Sequence, residues 1–365
     1  MGYRPMGRNS CRLRKEIKFI ELRFYIIIML DIKDKYLSGF KFIDLFAGIG
    51  GFHYALESYG AMCVYASEWD EYAKETYEKN FGIRPDGDIT KVSEKDIPEH
   101  DILCGGFPCQ AFSISGKQKG FEDTRGTLFF DIVRIVRYHK PKVVFLENVK
   151  NLITHDSGNT FRIILNTLSE LGYNTYYKVL NTSDYGLPQN RERVYIVAFD
   201  TSLKIKNFDF PQPIGERVCL QSILELTPNA KIIERDDIVY TKQYEEEFET
   251  TLFGQQLVLP NRPIQIGKVG KGGQGERIYN ILGHAITLSA YGGGVGSKTG
   301  LYQVGDVVRK LSTRECARCQ GFPDSFIINP KEQQAYKQFG NSVSINVLQK
   351  IVGQIVQSLK CVSNE

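Results

Sequence analysis

Long hydrophobic runs are missing from this 365-residue sequence. The longest aliphatic run, Ile26–Leu30, falls far short of the roughly 20 apolar residues that a membrane-spanning helix needs. Basic residues precede that run, but Asp31 follows it directly and no small-residue cleavage site appears, which argues against a secretory signal. A disulfide framework is missing too. The eight cysteines (11, 63, 104, 109, 219, 316, 319 and 361) are scattered, and a chain of this length does not need disulfide staples. Reduced thiols in a cytosol are the expectation. With 42% hydrophobic and 24% charged residues, the composition excludes a disordered chain. It leaves enough apolar mass for a sizeable core, and the length suggests about two domains.

Broad positive charge is also lacking, despite a net charge of +4. Residues 1–28 hold seven bases against two acids, so everything from Met29 onward sums to −1. Within that remainder, 231–250 has three bases and seven acids, whereas 261–320 has nine bases and three acids. One basic region late in the chain is therefore where a polyanion could dock.

From residue 40 the pattern alternates short β-type runs with helical stretches. Strands are expected at Phe40–Phe46, Ala61–Ser67, Asp101–Gly105, Lys142–Glu147, Tyr173–Leu180 and Arg193–Phe199. Helices are expected at Gly51–Tyr59, Asp70–Asn80, Phe129–His139 and Thr160–Leu171. Such alternation predicts an α/β fold with a doubly wound, mostly parallel sheet, whose strand-to-helix corners bind ligands. Beyond residue 200 the alternation stops. Proline pairs, an acidic stretch and two glycine clusters (270–275 and 292–296) predict a smaller β-rich domain up to about 305. Helical periodicity returns at 312–320 and 342–359, as if the chain re-entered the first domain.

Four corners carry chemistry. Glycines 48, 50 and 51 follow the first strand and let the backbone approach a ligand closely. Glu68, about twenty residues on, suits ribose hydroxyls. The dinucleotide fingerprint fails at its third glycine, which is His53, so an adenosyl ligand without a pyrophosphate fits better than a dinucleotide. Asp88 is placed to meet an adenine amino group. At the second corner Cys109 follows Pro108 on a stiff turn, with a glycine- and lysine-bearing flap after it. Glu147 ends a near-continuous apolar strand, where burial would raise its pKa and fit it for proton transfer. Arg191 and Arg193 lie on one face of an extended chain, so that one could reach Glu147 and the other a phosphate, unless both are simply exposed surface arginines. Cys316 and Cys319 form the one Cys-x-x-Cys pair, and without a second pair they make a poor zinc or redox site.

A cysteine after proline, a Glu-Asn pair and an Arg-x-Arg on one α/β sheet resemble the cytosine-5 DNA methyltransferase family. The resemblance runs from Met29 through nearly the whole chain. It takes in Asp44–Gly51, Pro108-Cys109-Gln110, Glu147-Asn148-Val149 and Gln189-x-Arg191-x-Arg193. Further along come Arg314–Arg318, Gly321-Phe-Pro323 and Gln338–Val343, in the family's order.

The resemblance implies an S-adenosylmethionine-dependent enzyme that needs no metal and acts on C5 of a flipped cytosine in double-stranded DNA. Cys109 would be the nucleophile, with Glu147, Arg191 and Arg193 completing the catalytic set. Phe46, Ala47, Gly48, Gly50, Gly51, Glu68, Trp69, Asp88, Ile89, Pro108, Leu128, Asn341 and Val343 would hold the cofactor. Ser115, Gln274, Arg277, Thr287, Ser289 and Tyr291 would meet DNA at a GCGC-type site. It further implies a catalytic domain at 29–220, a target-recognition domain at 221–312, a hinge at 313–340 and a returning C-terminal helix at 341–365. Residues 1–28 would lie outside the fold, with translation from Met29 or a dispensable arm as the expectation. A cytoplasmic, nucleoid-associated monomer paired with a restriction endonuclease, away from any membrane, completes the picture. A catalytically silent DNA-binding protein and an NAD-dependent oxidoreductase are the competing readings; the intact catalytic set opposes the first and the failed glycine fingerprint the second.

Overall fold

The computed structural model describes residues 35–108, 128–215, 217–241, 244, 247–251 and 254–363. The 1–28 extension, Cys109 and Ser115 lie outside the described residues. Strands β1 (Lys41–Leu45), β2 (Met62–Ser67), β3 (Ile102–Gly106), β4 (Val143–Val149), β5 (Tyr173–Asn181) and β6 (Glu192–Asp200) come first. Then follow β7 (Ile238–Tyr240), β8 (Phe248–Thr251), β9 (Gly254–Leu257), β10 (Ile264–Val269), β11 (Arg277–Asn280), β12 (Leu301–Val304) and β13 (Val307–Arg309). The α-helices among the described residues are α1 (Gly51–Ser58), α2 (Glu71–Phe81), α3 (Leu128–His139) and α4 (Asn159–Glu170), then α5 (Thr313–Cys319), α6 (Glu332–Asn341) and α7 (Ile345–Ser363).

The chain forms two compact units. One is Ile32–Thr182, Arg191–Pro213 and Phe326–Glu365; the other draws its described residues from Ser183–Asn190 and Ile214–Ser325. In the first unit a six-stranded sheet runs in the order β2-β1-β3-β4-β6-β5. Strand β1 is parallel to β2 and β3, and β3 to β4. Strand β6 is antiparallel to both neighbours. The sheet is therefore parallel on one side only, because only a 3-10 turn at Thr182–Tyr185, and no α-helix, separates β5 from β6 to carry the chain back across.

Helices cover both faces, which is why Val143–Leu146 in β4 can be apolar without alternation and fully buried. Helix α3 turns Phe129, Ile132, Val133 and Val136 inward, and α4 adds Phe161, Ile164 and Leu168 to the same core. Asp70 caps α2 through Ala73 N–H at 3.1 Å and is itself paired with Lys337 at 2.6 Å. Helix α7 buries Val347, Leu348, Ile351, Val352, Ile355 and Val356, and Tyr59 donates to its Gln349 carbonyl at 3.1 Å. Helix α6 is absent from the sequence expectation. Its buried face includes Gln338 as well as Tyr336 and Phe339, and that polar member blurs the apolar stripe.

His100 sits 8% exposed at the edge of this core, its ring 4.8 Å from that of His139 and its Nδ1 2.8 Å from the Pro98 carbonyl. Burial pulls its pKa from 6.5 down to about 4, and the His139 ring adds to that effect. The folded state thus keeps His100 neutral while the unfolded chain takes up a proton, so this contribution to stability is lost as pH falls from 6.5 toward 4. Urea midpoints measured over that window should drop less for His100→Phe than for the unchanged protein. Equal slopes would show that another group sets the acid limb.

The second unit carries a five-stranded sheet, β13-β12-β11-β10-β7, and a β8-β9 hairpin. Its small core is Ile233, Ile266, Val269, Ile278, Leu301 and Val308. Arg309 pairs with Glu315 at 2.7 and 2.8 Å with both side chains buried, and Glu315 also accepts the Ser312 and Glu225 amides. That full set of donors is what makes a buried carboxylate tolerable.

Candidate active site

The glycine corner is built on strained backbone. Phe46 has φ 56° and Gly50 φ 87°, the latter starting α1 with Phe81 so close that a Cβ would meet its ring at 2.1 Å. The turn is pinned to β2: Ala47 N–H donates to Ser67 O at 2.9 Å, and Gly48 N–H to Glu68 Oε2 at 2.8 Å. Glu68 Oε1 accepts from Asp70 N–H at 2.9 Å. Each Glu68 oxygen thus serves the backbone first and retains a lone pair for a ligand. Burial raises its pKa, against the amides that favour the ionised form.

Beside it Trp69 is 81% exposed, a large ring open to solvent among the described residues. Asp88 caps the turn at Ile89–Lys91, accepting from Thr90 N–H and hydroxyl at 3.1 and 2.8 Å, and these bonds lower its pKa. Ile89 is only 2% exposed, and its side chain belongs to the core. His53, where a dinucleotide site would have its third glycine, is buried, bonded to Tyr77 at 2.7 Å and stacked on Phe81 at 4.0 Å.

The ends of β3 and β4 meet in register, Gly106 opposite Glu147. A Cβ on Gly106 would lie 3.3 Å from Glu147 Oε2 and 3.9 Å from Val343 Cγ1, while one on Gly51 would lie 2.4 Å from Val343 Cγ2. Gly51, Gly106, Glu147 and Val343 therefore converge. Arg193 reaches Glu147 from β6, Nε to Oε1 at 3.0 Å. Burial raises the Glu147 pKa, with Arg193 and then Arg191 acting against it. Burial thus favours the protonated carboxyl more than in an exposed glutamate, the direction a proton donor needs.

Arg191 differs from its expected places. It is 2% exposed and donates to the carbonyls of Ser342 and Gly340 at 2.5 and 3.3 Å, so neither a phosphate contact nor a surface position applies. It fixes the backbone that carries Val343. Leu128 opens α3 half-buried, whereas Pro108 and Asn341 are exposed.

Asn148, the second residue of the Glu-Asn motif, has a role that the motif alone did not specify. Its Nδ2 donates to Phe107 O at 2.7 Å, clamping the turn just before Pro108. An amide beside a charged residue gives no sequence signal of that kind.

In the second unit Gln274 and Arg277 are exposed on the turn that leads into β11. Thr287 and Tyr291 are exposed, Ser289 is half-buried, and Leu288 and Ala290 between them point inward. Thr287 donates to Asn190 O at 2.6 Å. Gln189, the buried first residue of the Gln-x-Arg-x-Arg motif, accepts from Leu288 N–H at 3.1 Å and donates to Cys319 O at 2.9 Å. Cys316 and Cys319 are free, buried thiols whose pKa values burial raises. That environment suits inert core cysteines. Among the described residues no helix is long and apolar enough to cross a membrane.

This fold and these corners are those of the C-5 cytosine-specific DNA methylases, whose family signature spans residues 40–357, and the chain belongs to that family. It is a DNA cytosine-5-methyltransferase of Type II. The chain is 58% identical over 335 residues to the Type II methyltransferase M.HhaI of Haemophilus parahaemolyticus, covering 91% of this chain and 98% of that one. It is 45% identical to M.HpaII of Haemophilus parainfluenzae, covering 88% and 90% respectively. The crystal structure of S. pombe Dnmt2 methyltransferase shares the fold at TM-score 0.63 and 22% identity, covering 87% of this chain and 98% of that one.

Proposed function

We propose that this protein methylates C5 of a cytosine flipped out of a short duplex site, GCGC in type, through a covalent Cys109 adduct, using S-adenosylmethionine. The observation that carries the reading is the pair of buried Glu147 and half-buried Arg193 at 3.0 Å, set against Gly106 at the end of the strand that leads to Pro108-Cys109. A dinucleotide-dependent oxidoreductase has no use for that pair.

The residues present fit an adenosyl group. Glu68 retains lone pairs for ribose, Trp69 offers an open ring face, and Asp88 Oδ2 faces only the exposed Lys91 ammonium at 3.7 Å and can still accept from an adenine amino group. Phe46–Gly51, Ile89, Pro108, Leu128, Asn341 and Val343 complete the proposed contacts. When bound, S-adenosylmethionine supplies an electrophilic methyl group.

This chain's residues prepare the base to take it. The Cys109 thiolate adds to C6, since C5 is not nucleophilic until that bond forms. Glu147 donates toward N3 and holds the exocyclic amine, neutralising the charge that the addition pushes into the ring. Arg193 holds Glu147 and the ring carbonyl. After methylation the C5 proton passes to solvent water, the C5–H electron pair forms the C5–C6 double bond as the C6–S bond breaks, and the Cys109 thiolate leaves with aromaticity restored.

Flipping costs a few kcal/mol of stacking and pairing. Ser115 and Gln274 are the residues proposed to fill the vacated space, with Thr287 near the flipped nucleotide and Ser289 and Tyr291 near phosphates. A cytoplasmic monomer, paired with a cognate restriction endonuclease, is the setting we infer. Bisulfite sequencing of DNA from cells expressing the gene tests activity and site together. Unmodified cytosines throughout would refute the reading.

Arg277→Ala should remove about 1–3 kcal/mol of discrimination at one guanine, the worth of a bidentate contact. Binding competition between the cognate duplex and single-base variants measures it. Uniform weakening on every sequence would make Arg277 a phosphate ligand instead.

A further inference from the structure

Two glycine loops in the second unit meet through their backbones. The first, 270–276, is ordered by its own bonds: Glu276 N–H donates to Gly273 O at 2.9 Å, and Gly273 N–H to Glu276 Oε2 at 2.8 Å. The second, 289–298, is closed at its base by Ser289 N–H to Lys298 O at 3.0 Å. Gly296 N–H then donates to Gly275 O at 2.7 Å, joining one loop to the other.

The crossing has no room for a side chain. A Cβ on Gly275 would lie 2.1 Å from the Gly293 carbonyl oxygen, and one on Gly294 3.2 Å from the Gly275 carbonyl. The obstructing atoms are backbone, which cannot swing aside as a flexible side chain does. Gln274 and Arg277 flank the crossing on one loop, and Ser289 and Tyr291 lie on the other.

We propose that Gly275 is a specificity-determining position, because its missing side chain locks the two loops into one rigid reading surface. This rests on the DNA-recognition reading of the second unit. Bidentate base readout demands placement within a fraction of an ångström, and a locked pair supplies it before DNA arrives. A methyl at Gly275 would force the loops apart and move Arg277 relative to Ser289 and Tyr291.

The test uses the full chain with Gly275→Ala, Gly294→Ala and, as a control, Gly305→Ala. Gly305 has a left-handed φ of 59°, as Gly294 does at 84° and Gly275 does not, but open space around its Cβ, in the β12-β13 turn outside both loops. Methylation rates on the cognate duplex and on single-base variants give the discrimination ratio. Melting temperature and affinity for a random duplex report fold and non-specific binding.

The ratio should fall roughly tenfold or more for Gly275→Ala, the discrimination one base contact supplies, and less for Gly294→Ala. Random-duplex affinity should hold, and Gly305→Ala should lower only the melting temperature. A folded Gly275→Ala that discriminates like the unchanged protein overturns the proposal. So does an equal loss in Gly305→Ala, which would make the effect one of stability. If Gly275→Ala fails to fold, Gly294→Ala decides by the same criterion. An unchanged protein that methylates every sequence alike would instead overturn the recognition reading beneath.

Discussion

Cys109→Ser should abolish methyl transfer, with residual turnover under about a few per cent, while duplex affinity stays near that of the unchanged protein. A serine hydroxyl is scarcely ionised at neutral pH and is a far weaker nucleophile than a thiolate, so the addition to C6 fails even when the base is correctly placed. The turn that precedes it is held independently, through the Asn148 amide on the Phe107 carbonyl, so the substitution should not disturb the strand ends. Tritium transfer from labelled cofactor and a gel-shift titration separate the two effects. Turnover well above that level would remove Cys109 from the mechanism.

Glu147→Gln should cost on the order of 10²–10⁴-fold in rate, the usual worth of a positioned proton-transfer group, with little change in cofactor affinity. The amide keeps the size of the side chain and loses its proton. Because burial raises the Glu147 pKa, the carboxylic acid persists to higher pH than an exposed glutamate would allow. If the protonated form does the work, the rate falls as pH rises through that value, and Glu147→Gln should abolish that limb of the profile. A defect confined to binding would assign Glu147 a structural role.

The strand-to-helix corners were legible because each combines an apolar run with a residue that a bare corner does not need. The strand and helix positions followed from periodicity within a residue or two at most ends. What remained illegible depends on contacts between distant stretches. Spacing put Arg191 and Arg193 on one face but could not say which is buried. That is decided by the Gly340–Ser342 backbone, whose carbonyls take the Arg191 guanidinium. Asn148 and Gln189 stand in the motifs, but what they hold was not legible, because an amide side chain shows its purpose only when its partners are seen. The antiparallel β6 was hidden because its residues read like those of the parallel strands, and only the short connection from β5 reveals its direction.

The split origin of the second unit limits how target preference can be transplanted. Exchanging Ile214–Ser325 alone between relatives would leave the Ser183–Asn190 stretch behind. The resident Gln189 would then have to find, in foreign chain, an amide where Leu288 stands and a carbonyl where Cys319 stands. A donor loop of different length would strand that glutamine inside the protein with its polar atoms unmet, at about 1–3 kcal/mol for each group. Hybrid enzymes cut at 214 should therefore yield soluble protein only when the donor preserves those two backbone positions. Grafts that also carry residues 183–190 escape the restriction, and with it one barrier to shuffling target sites among these enzymes.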